Sequence, residues 1–274
     1  MTLLSPADTR ALAARLDVSP VKSKGQNFLV DPNTVRRIVR LAELGNDYHV
    51  LEIGPGLGSL SLGLLEAGVR VTAVELDPVL ARALPETVAA RIPGAADQLT
   101  VITGDALRID IPADATVLAA NLPYNVAVPL LLRFLQEQDN LAHGVVMVQA
   151  EVAARLAAPP GSRVYGVPSA KLAWYADARV AAPVPRTVFW PQPRVDSALL
   201  TFTRRDPPAG DRERTFAVID AAFAQRRKTL RAALATWAGS AAAAEQRLRA
   251  AGIDPGARGE TLDVAAFARL SQLD

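Results

Sequence analysis

The sequence predicts a doubly wound α/β domain built on a seven-stranded sheet, followed by a small all-helical domain. Short apolar runs rich in β-branched residues alternate with helical segments between residues 49 and 150. That alternation marks a mostly parallel sheet covered on both faces. Beyond Arg205 the pattern turns purely helical. The glycines, acids and one amide that break the apolar runs fall where predicted strands end, which is where open α/β sheets bind ligands.

Taken in chain order, Ser5-Pro6-Ala7-Asp8 offers an N-cap serine, a proline at the first helical position and an acid three residues on. A helix is therefore expected over 5–17. A basic loop, VKSKGQNFLVDPN (21–33), leads to a second helix opened by Asp31-Pro32, with Val35, Ile38, Val39 and Ala42 at amphipathic spacing. HVLEI (49–53) reads as the first sheet strand, and LSLGLLEAG (60–68) as a helix closed by Gly68. VRVTAVEL (69–76) is the next strand, and another helix begins at Pro78. LTVITGDAL (99–107), TVLAAN (116–121) and GVVMVQA (144–150) supply three more strands. Residues 173–182 and VDSALLTFT (195–203) complete the seven as an antiparallel pair at the sheet edge. DPPAGDRE (206–213) reads as a linker into helices over about 212–237, 240–251 and 261–273. The expected organisation is a helical extension at 1–20, a main domain at 21–205 and a helical domain at 206–274.

Composition narrows the function classes. Half of the 274 residues are hydrophobic, enough for a sizeable core. No window approaches eighteen uninterrupted apolar residues, which argues against a membrane span. The start, MTLLSPADTR, lacks the cationic-then-apolar pattern of a secretory signal. Without cysteine there is neither a disulfide nor a thiolate metal site, and the chain is compatible with a cytoplasmic location. His49 and His143 do not form a metal-spaced pair, so no metal is expected. Thirty Lys and Arg against 28 Asp and Glu give a net charge of only +2, which does not by itself announce a nucleic-acid binder. Yet residues 204–231 gather Arg204, Arg205, Arg212, Arg214, Arg226, Arg227, Lys228 and Arg231 against Asp206, Asp211, Glu213 and Asp220.

The strand ends carry the chemistry. Glu52-Ile53-Gly54-Pro55-Gly56-Leu57-Gly58 joins the first strand to a helix, and its glycines let the backbone turn sharply and a ligand approach it closely. A dinucleotide fold would place its third glycine one residue later, so a nicotinamide dehydrogenase is the weaker reading. Glu75 ends the second strand, 21 residues after Gly54, where a carboxylate can accept ribose hydroxyls. Asp105 follows the third strand, where it can accept from an adenine amino group, and Asn121 ends the fourth. Taken singly, Glu75 and Asp105 read as well as caps of the following helices. As an ordered set, these residues resemble the class I S-adenosylmethionine-dependent methyltransferases, whose sheet is Rossmann-like.

Asn121-Leu122-Pro123-Tyr124 then gains a meaning beyond that of a strand-end turn. The exocyclic amine of adenine is a poor nucleophile because its lone pair is delocalised into the ring. The Asn121 side-chain oxygen and the Leu122 carbonyl can hold its two N–H groups and favour a tetrahedral nitrogen, so positioning supplies most of the catalysis. Tyr124 can stack on a base drawn out of its surroundings.

The order GQNFL (25–29), LEIGPGLG (51–58), VELD (74–77), GDAL (104–107), NLPYN (121–125), EVAARL (151–156), FWPQPRVDS (189–197) and AFAQRRKTLR (222–231) resembles the ribosomal RNA adenine N6,N6-dimethyltransferases. GID (252–254) and RGETL (258–262) extend the likeness almost to the C-terminus. The likeness is greatest to the bacterial type, which dimethylates two adjacent adenosines near the 3′ end of 16S rRNA during 30S subunit biogenesis. It implies S-adenosyl-L-methionine as cofactor and an immature 30S subunit as partner for a cytoplasmic monomer. Residue by residue, Asn27, Leu29, Gly54, Gly56, Glu75, Asp105 and Asn121 match cofactor positions. Tyr124 and Phe189 match base-stacking aromatics. Lys22, Lys24, Arg226, Arg227, Lys228 and Arg231 are the expected RNA contacts, which position the phosphate backbone without reading sequence. This chain departs from the family pattern at NVAVP (125–129), Trp190 and Gln192. The related large-subunit rRNA methyltransferases of antibiotic resistance share the core motifs, and an assembly factor acting mainly by binding is a further alternative.

Overall fold

The computed structural model describes residues 2–19, 27–45, 47–110 and 113–273. They fall into two compact units, the chain up to Ala153 with Arg179–Arg204, and Ala154–Ala178 with Arg205–Asp274. This division differs from the linear one expected at 205/206, because residues 154–178 group with the C-terminal helices. Tyr165 and Ala170 are buried in one cluster with Val218, Ile219 and Phe267, and the Tyr165 hydroxyl donates to the Leu262 carbonyl at 2.9 Å. Contacts of that span leave no local signature.

In the first unit, α1 (Pro6–Arg15) opens on a complete capping box. The Asp8 carboxylate accepts from the Ser5 N–H at 2.9 Å, and Ser5 Oγ accepts from the Asp8 N–H at 3.2 Å. The Ser5 hydroxyl, donating to the same carboxylate at 2.6 Å, the Ser5 N–H and Arg91 at 2.8 Å hold the Asp8 carboxyl well below the usual range. Leu3, Leu4 and Leu12 belong to the main hydrophobic core, each contributing about 2 kcal/mol on burial. The N-terminal extension is thus part of the core.

After β1 (Phe28–Leu29) and α2 (Pro32–Leu41), five strands and three helices build the parallel part of the sheet: β2 (His49–Ile53), α3 (Ser59–Glu66), β3 (Arg70–Glu75), α4 (Pro78–Arg91), β4 (Leu99–Thr103), β5 (Val117–Asn121), α5 (Ala127–Glu137) and β6 (His143–Gln149). α6 (Ala150–Leu156) and α7 (Val167–Tyr175) precede β7 (Ala176–Val184), β8 (Phe189–Trp190) and β9 (Ser197–Arg204). The strand expected at 173–182 begins only at Ala176, because its first residues finish α7.

The seven strands run in the order β4-β3-β2-β5-β6-β9-β7. The first five pair in parallel and β9 runs antiparallel to β6. Every residue of β2 is buried, whereas the edge strand β4 has none, as expected for a sheet covered on both faces at its centre. Strand order reverses between β2 and β5, so the loops after β2 and β5 diverge and leave a crevice. β1 and β8 form a separate two-stranded antiparallel sheet, pairing Leu29 with Phe189.

In the second unit, α8 (Arg212–Ala224), α9 (Leu230–Ala233), α10 (Ala235–Ala238), α11 (Ala241–Ala250) and α12 (Val264–Ser271) follow. The single helix expected over 212–237 is broken: residues 225–229 leave helical geometry, and Lys228 N–H donates to the Gln225 carbonyl at 2.8 Å. The helix restarts at Thr229, whose extended backbone supplies its N-cap. Phe223 packs between Tyr165 and Phe267, with ring centroids 5.9 and 6.2 Å away.

Candidate active site

The carboxyl ends of β2, β3, β4 and β5 converge on a cavity of about 350 Å³ in the first unit. Asn27, Leu29, Gly54, Gly56, Glu75, Asp105, Asn121, Leu122 and Tyr124 all line it. Residues from five separate stretches of chain, expected together on sequence grounds, are therefore brought together in space.

The glycine loop forms the floor. Gly54, Gly56 and Gly58 adopt φ of +67°, +58° and +91°, a region that strains other residues. Close approach adds a second reason at Gly58, where a Cβ would lie 2.7 Å from a Leu84 methyl. Gly54 N–H donates to the Val74 carbonyl at 2.9 Å, and Gly58 N–H to Pro55 at 2.9 Å.

Glu75 stands beside this loop, only 6% exposed. Gly56 N–H donates to its Oε2 and Asp77 N–H to its Oε1, each at 2.9 Å. Burial pushes its carboxyl above the ordinary range, while those N–H bonds oppose the shift. Both oxygens are held by backbone, so the carboxylate has one orientation. Asp105 is held in the same manner by one oxygen: Leu107 N–H donates to Oδ1 at 2.9 Å, and Arg108 lies 3.5 Å from Oδ2. Arg133 pins the same loop through the Ala106 and Ile109 carbonyls.

Asn121 ends β5 with Nδ2 donating to the Asn27 carbonyl at 3.1 Å. Committing the nitrogen to that partner fixes the amide and leaves Oδ1 as the acceptor. The next residue, Leu122, donates its N–H to the Met147 carbonyl at 3.1 Å, continuing the β5–β6 ladder. Tyr124 is half-buried, and its hydroxyl shares a 2.5 Å hydrogen bond with Ser197 Oγ. Burial raises its pKa, so the phenol stays neutral.

Other expected residues lie elsewhere. Phe189 does not line the cavity; it is 2% exposed and belongs to the main core, beside the ring of Trp190, which stacks on Phe28 with centroids 6.3 Å apart. Lys22 and Lys24 lie outside the described residues. In the second unit, Arg226 binds Glu260 at 3.0 Å and the Arg163 carbonyl at 2.7 Å, and Arg231 binds Glu245 at 2.8 Å. Arg227 and Lys228 are exposed on the 225–229 turn. Arg204, expected on a basic surface, instead donates to the Leu141, Leu135 and Gln138 carbonyls at 2.7, 2.8 and 2.6 Å, capping the end of α5.

Two further features of the site, one lining the cavity and one behind it, drew no role from the sequence. Glu52 is 1% exposed, accepts from Ser61 Oγ at 2.6 Å, and burial pushes its carboxyl up to about 8. Its place two residues before Gly54 was the available signal. Ser197, the Tyr124 partner, gave none, being 73 residues away.

A family model for ribosomal RNA adenine dimethylase matches residues 20–273. The chain belongs to that family. A ribosomal RNA small subunit methyltransferase A of Thermobifida fusca is 61% identical, covering 98% of this chain and 96% of the relative. One of Streptomyces coelicolor is 59% identical with the same coverage. Among solved structures, a dimethyladenosine transferase from Plasmodium falciparum shares the fold, with TM-score 0.76, 22% identity, and coverage of 89% of this chain and 95% of that one. The 23S rRNA methyltransferase ErmE gives TM-score 0.67 and 26% identity over 90% of this chain and 98% of that one. The family's methyl donor is S-adenosylmethionine. The cavity fits it: a left-handed glycine floor where a ligand can lie against bare backbone, a fixed carboxylate for ribose hydroxyls, and a second acid for an adenine amine. Among the described residues no group of His, Asp and Glu could hold a metal, and no helix is long and apolar enough to cross a membrane.

Proposed function

We propose that this chain dimethylates N6 of two adjacent adenosines in the 3′-terminal hairpin loop of 16S rRNA, acting as a monomer on an immature 30S subunit. The observation that carries this reading is the single cavity in which Glu75 and Asp105 meet Asn121, Leu122 and Tyr124. S-adenosylmethionine supplies an electrophilic methyl when bound. Everything else is positioning by the chain. Glu75 takes the ribose hydroxyls, and Asp105 offers its less committed oxygen to the cofactor's adenine. Asn27, Leu29, Gly54 and Gly56 line the space for the rest of the cofactor.

On the substrate side, Asn121 Oδ1 and the Leu122 carbonyl accept the two N–H groups of the target amine. Held there, the nitrogen pyramidalises and its lone pair becomes available for in-line attack. No general base is required, because the proton becomes acidic only once the methyl has arrived. Tyr124 stacks on the extruded base, an interaction worth about 1–3 kcal/mol. After the first transfer one N–H remains, and one of the two acceptors holds it for the second. Arg227 and Lys228, with Lys22 and Lys24, supply phosphate contacts.

The preference for the small-subunit substrate rests on relatives at 59–61% identity named for it, against 26% for ErmE. The test offers radiolabelled S-adenosylmethionine with immature small-subunit particles and, separately, protein-free large-subunit RNA. Label should enter only the former; label confined to the latter would replace this substrate with the other.

A further inference from the structure

Asp196 and Ser197 do not line the cavity, and the proposed transfer uses neither, yet both tie down its aromatic side. Ser197 is fully buried. As the first residue of β9 it is paired with Gln149 of β6, and the Ala150 N–H donates to the Asp196 carbonyl at 3.0 Å just beyond. Its hydroxyl is therefore a fixed point built on the sheet. Tyr124, by contrast, sits in the loop between β5 and α5 with no regular backbone bonding of its own.

We infer that Ser197 is a positioning residue for the base-stacking ring: its Oγ anchors the Tyr124 phenol at 2.5 Å and so fixes where the ring that meets the target base stands. Packing and stacking alone would be served by a phenylalanine. The hydroxyl adds a fixed point at the far end of the ring, which stops the side chain from swinging about its first torsion and moving the ring away from the cavity. Asp196 acts on the neighbouring segment, its Oδ1 accepting from the Arg186 N–H at 3.1 Å where the turn before Phe189 opens. Asp196 stands just before β9 and Ser197 begins it, so one dipeptide holds both the Tyr124 ring and the segment leading to Phe189. The inference rests on the reading of Tyr124 as the base-stacking residue.

The test compares Tyr124→Phe, Ser197→Ala and the double variant in the unmodified full chain background. Small-subunit methylation is read as kcat, cofactor affinity is measured by calorimetry, and base placement by fluorescence of RNA carrying 2-aminopurine at the target position. Each single change should lower kcat roughly three- to tenfold, the value of one buried hydrogen bond, with cofactor affinity unchanged and the fluorescence altered. The double variant should be no worse than either single one, because both remove one interaction. Tyr124→Phe deletes one oxygen from a half-buried residue and keeps the test open should Ser197→Ala misfold. Native kcat in Tyr124→Phe, or effects that multiply in the double variant, would overturn the positioning role. Tyr124→Ala separates the two ideas: if it is as active as the unaltered chain, the stacking reading itself has failed.

Discussion

The proposed cofactor side and the proposed base side of the cavity are held by different means. Glu75 is fixed by two backbone N–H groups from residues 56 and 77, and the glycine loop by its own turn and by β3. Asn121 and Tyr124 are fixed by side-chain bonds reaching 94 and 73 residues along the chain, to the Asn27 carbonyl and to Ser197. Backbone-held groups are set once the sheet forms. Groups held by one distant bond are more easily disturbed, and their loss should change transfer rather than binding.

The largest effect that would sharpen this contrast comes from the acceptor pair. Asn121→Ala should lower kcat roughly a hundred- to a thousandfold, the scale seen when one such preorganised group is removed, with folding unaffected by circular dichroism. Turnover close to native would remove Asn121 from the chemistry. Glu75→Ala should act on the other side, weakening S-adenosylmethionine roughly tenfold to a hundredfold in a calorimetric titration, the value of a charge-assisted hydrogen bond or two. A normal cofactor affinity with impaired kcat would break the division between the two sides.

A subtler effect lies beneath the glycine loop. Burial raises Glu52 from 4.5 to about 8, so the folded chain binds its proton more tightly than the unfolded chain does. Stability from this group is fully present below pH 4.5 and is lost progressively as pH rises through 8, by a few kcal/mol at about 1.4 per unit. Glu52→Gln keeps an acceptor for the Ser61 hydroxyl and should flatten the fall of Tm between pH 5 and 8. An identical pH profile in the variant would contradict a buried, protonated Glu52. The smallest effect belongs to the second unit: replacing Arg227 and Lys228 with alanine should reduce the salt dependence of RNA binding by roughly one unit per charge. An unchanged slope would assign phosphate contact to other cations.

What could be read in advance follows the same division. The strand–helix alternation, the glycines at 54, 56 and 58, and Glu75, Asp105 and Asn121 at strand ends were legible because each is a local consequence of backbone geometry. The break at 225–229 was not, because Phe223, Leu230 and Leu234 keep helical spacing across it; the backbone leaves the helix there through bonds to distant residues, with Leu230 and Arg231 N–H donating to the Ala257 and Pro255 carbonyls. Arg204 looked like surface charge because its three carbonyl partners lie over 60 residues away. The burial of Phe189 depends on pairing with Leu29, again beyond local pattern. Arg226 and Arg231 likewise meet acids supplied by later segments.

The most direct measurement is the position and number of methyl groups on the product. Small-subunit rRNA recovered after reaction of immature particles with the chain and S-adenosylmethionine would be digested and mapped by mass spectrometry. The expected result is two adjacent N6,N6-dimethyladenosines near the 3′ end, absent when Asn121→Ala is used. Unmodified small-subunit RNA, or methylation at any other base, would contradict it.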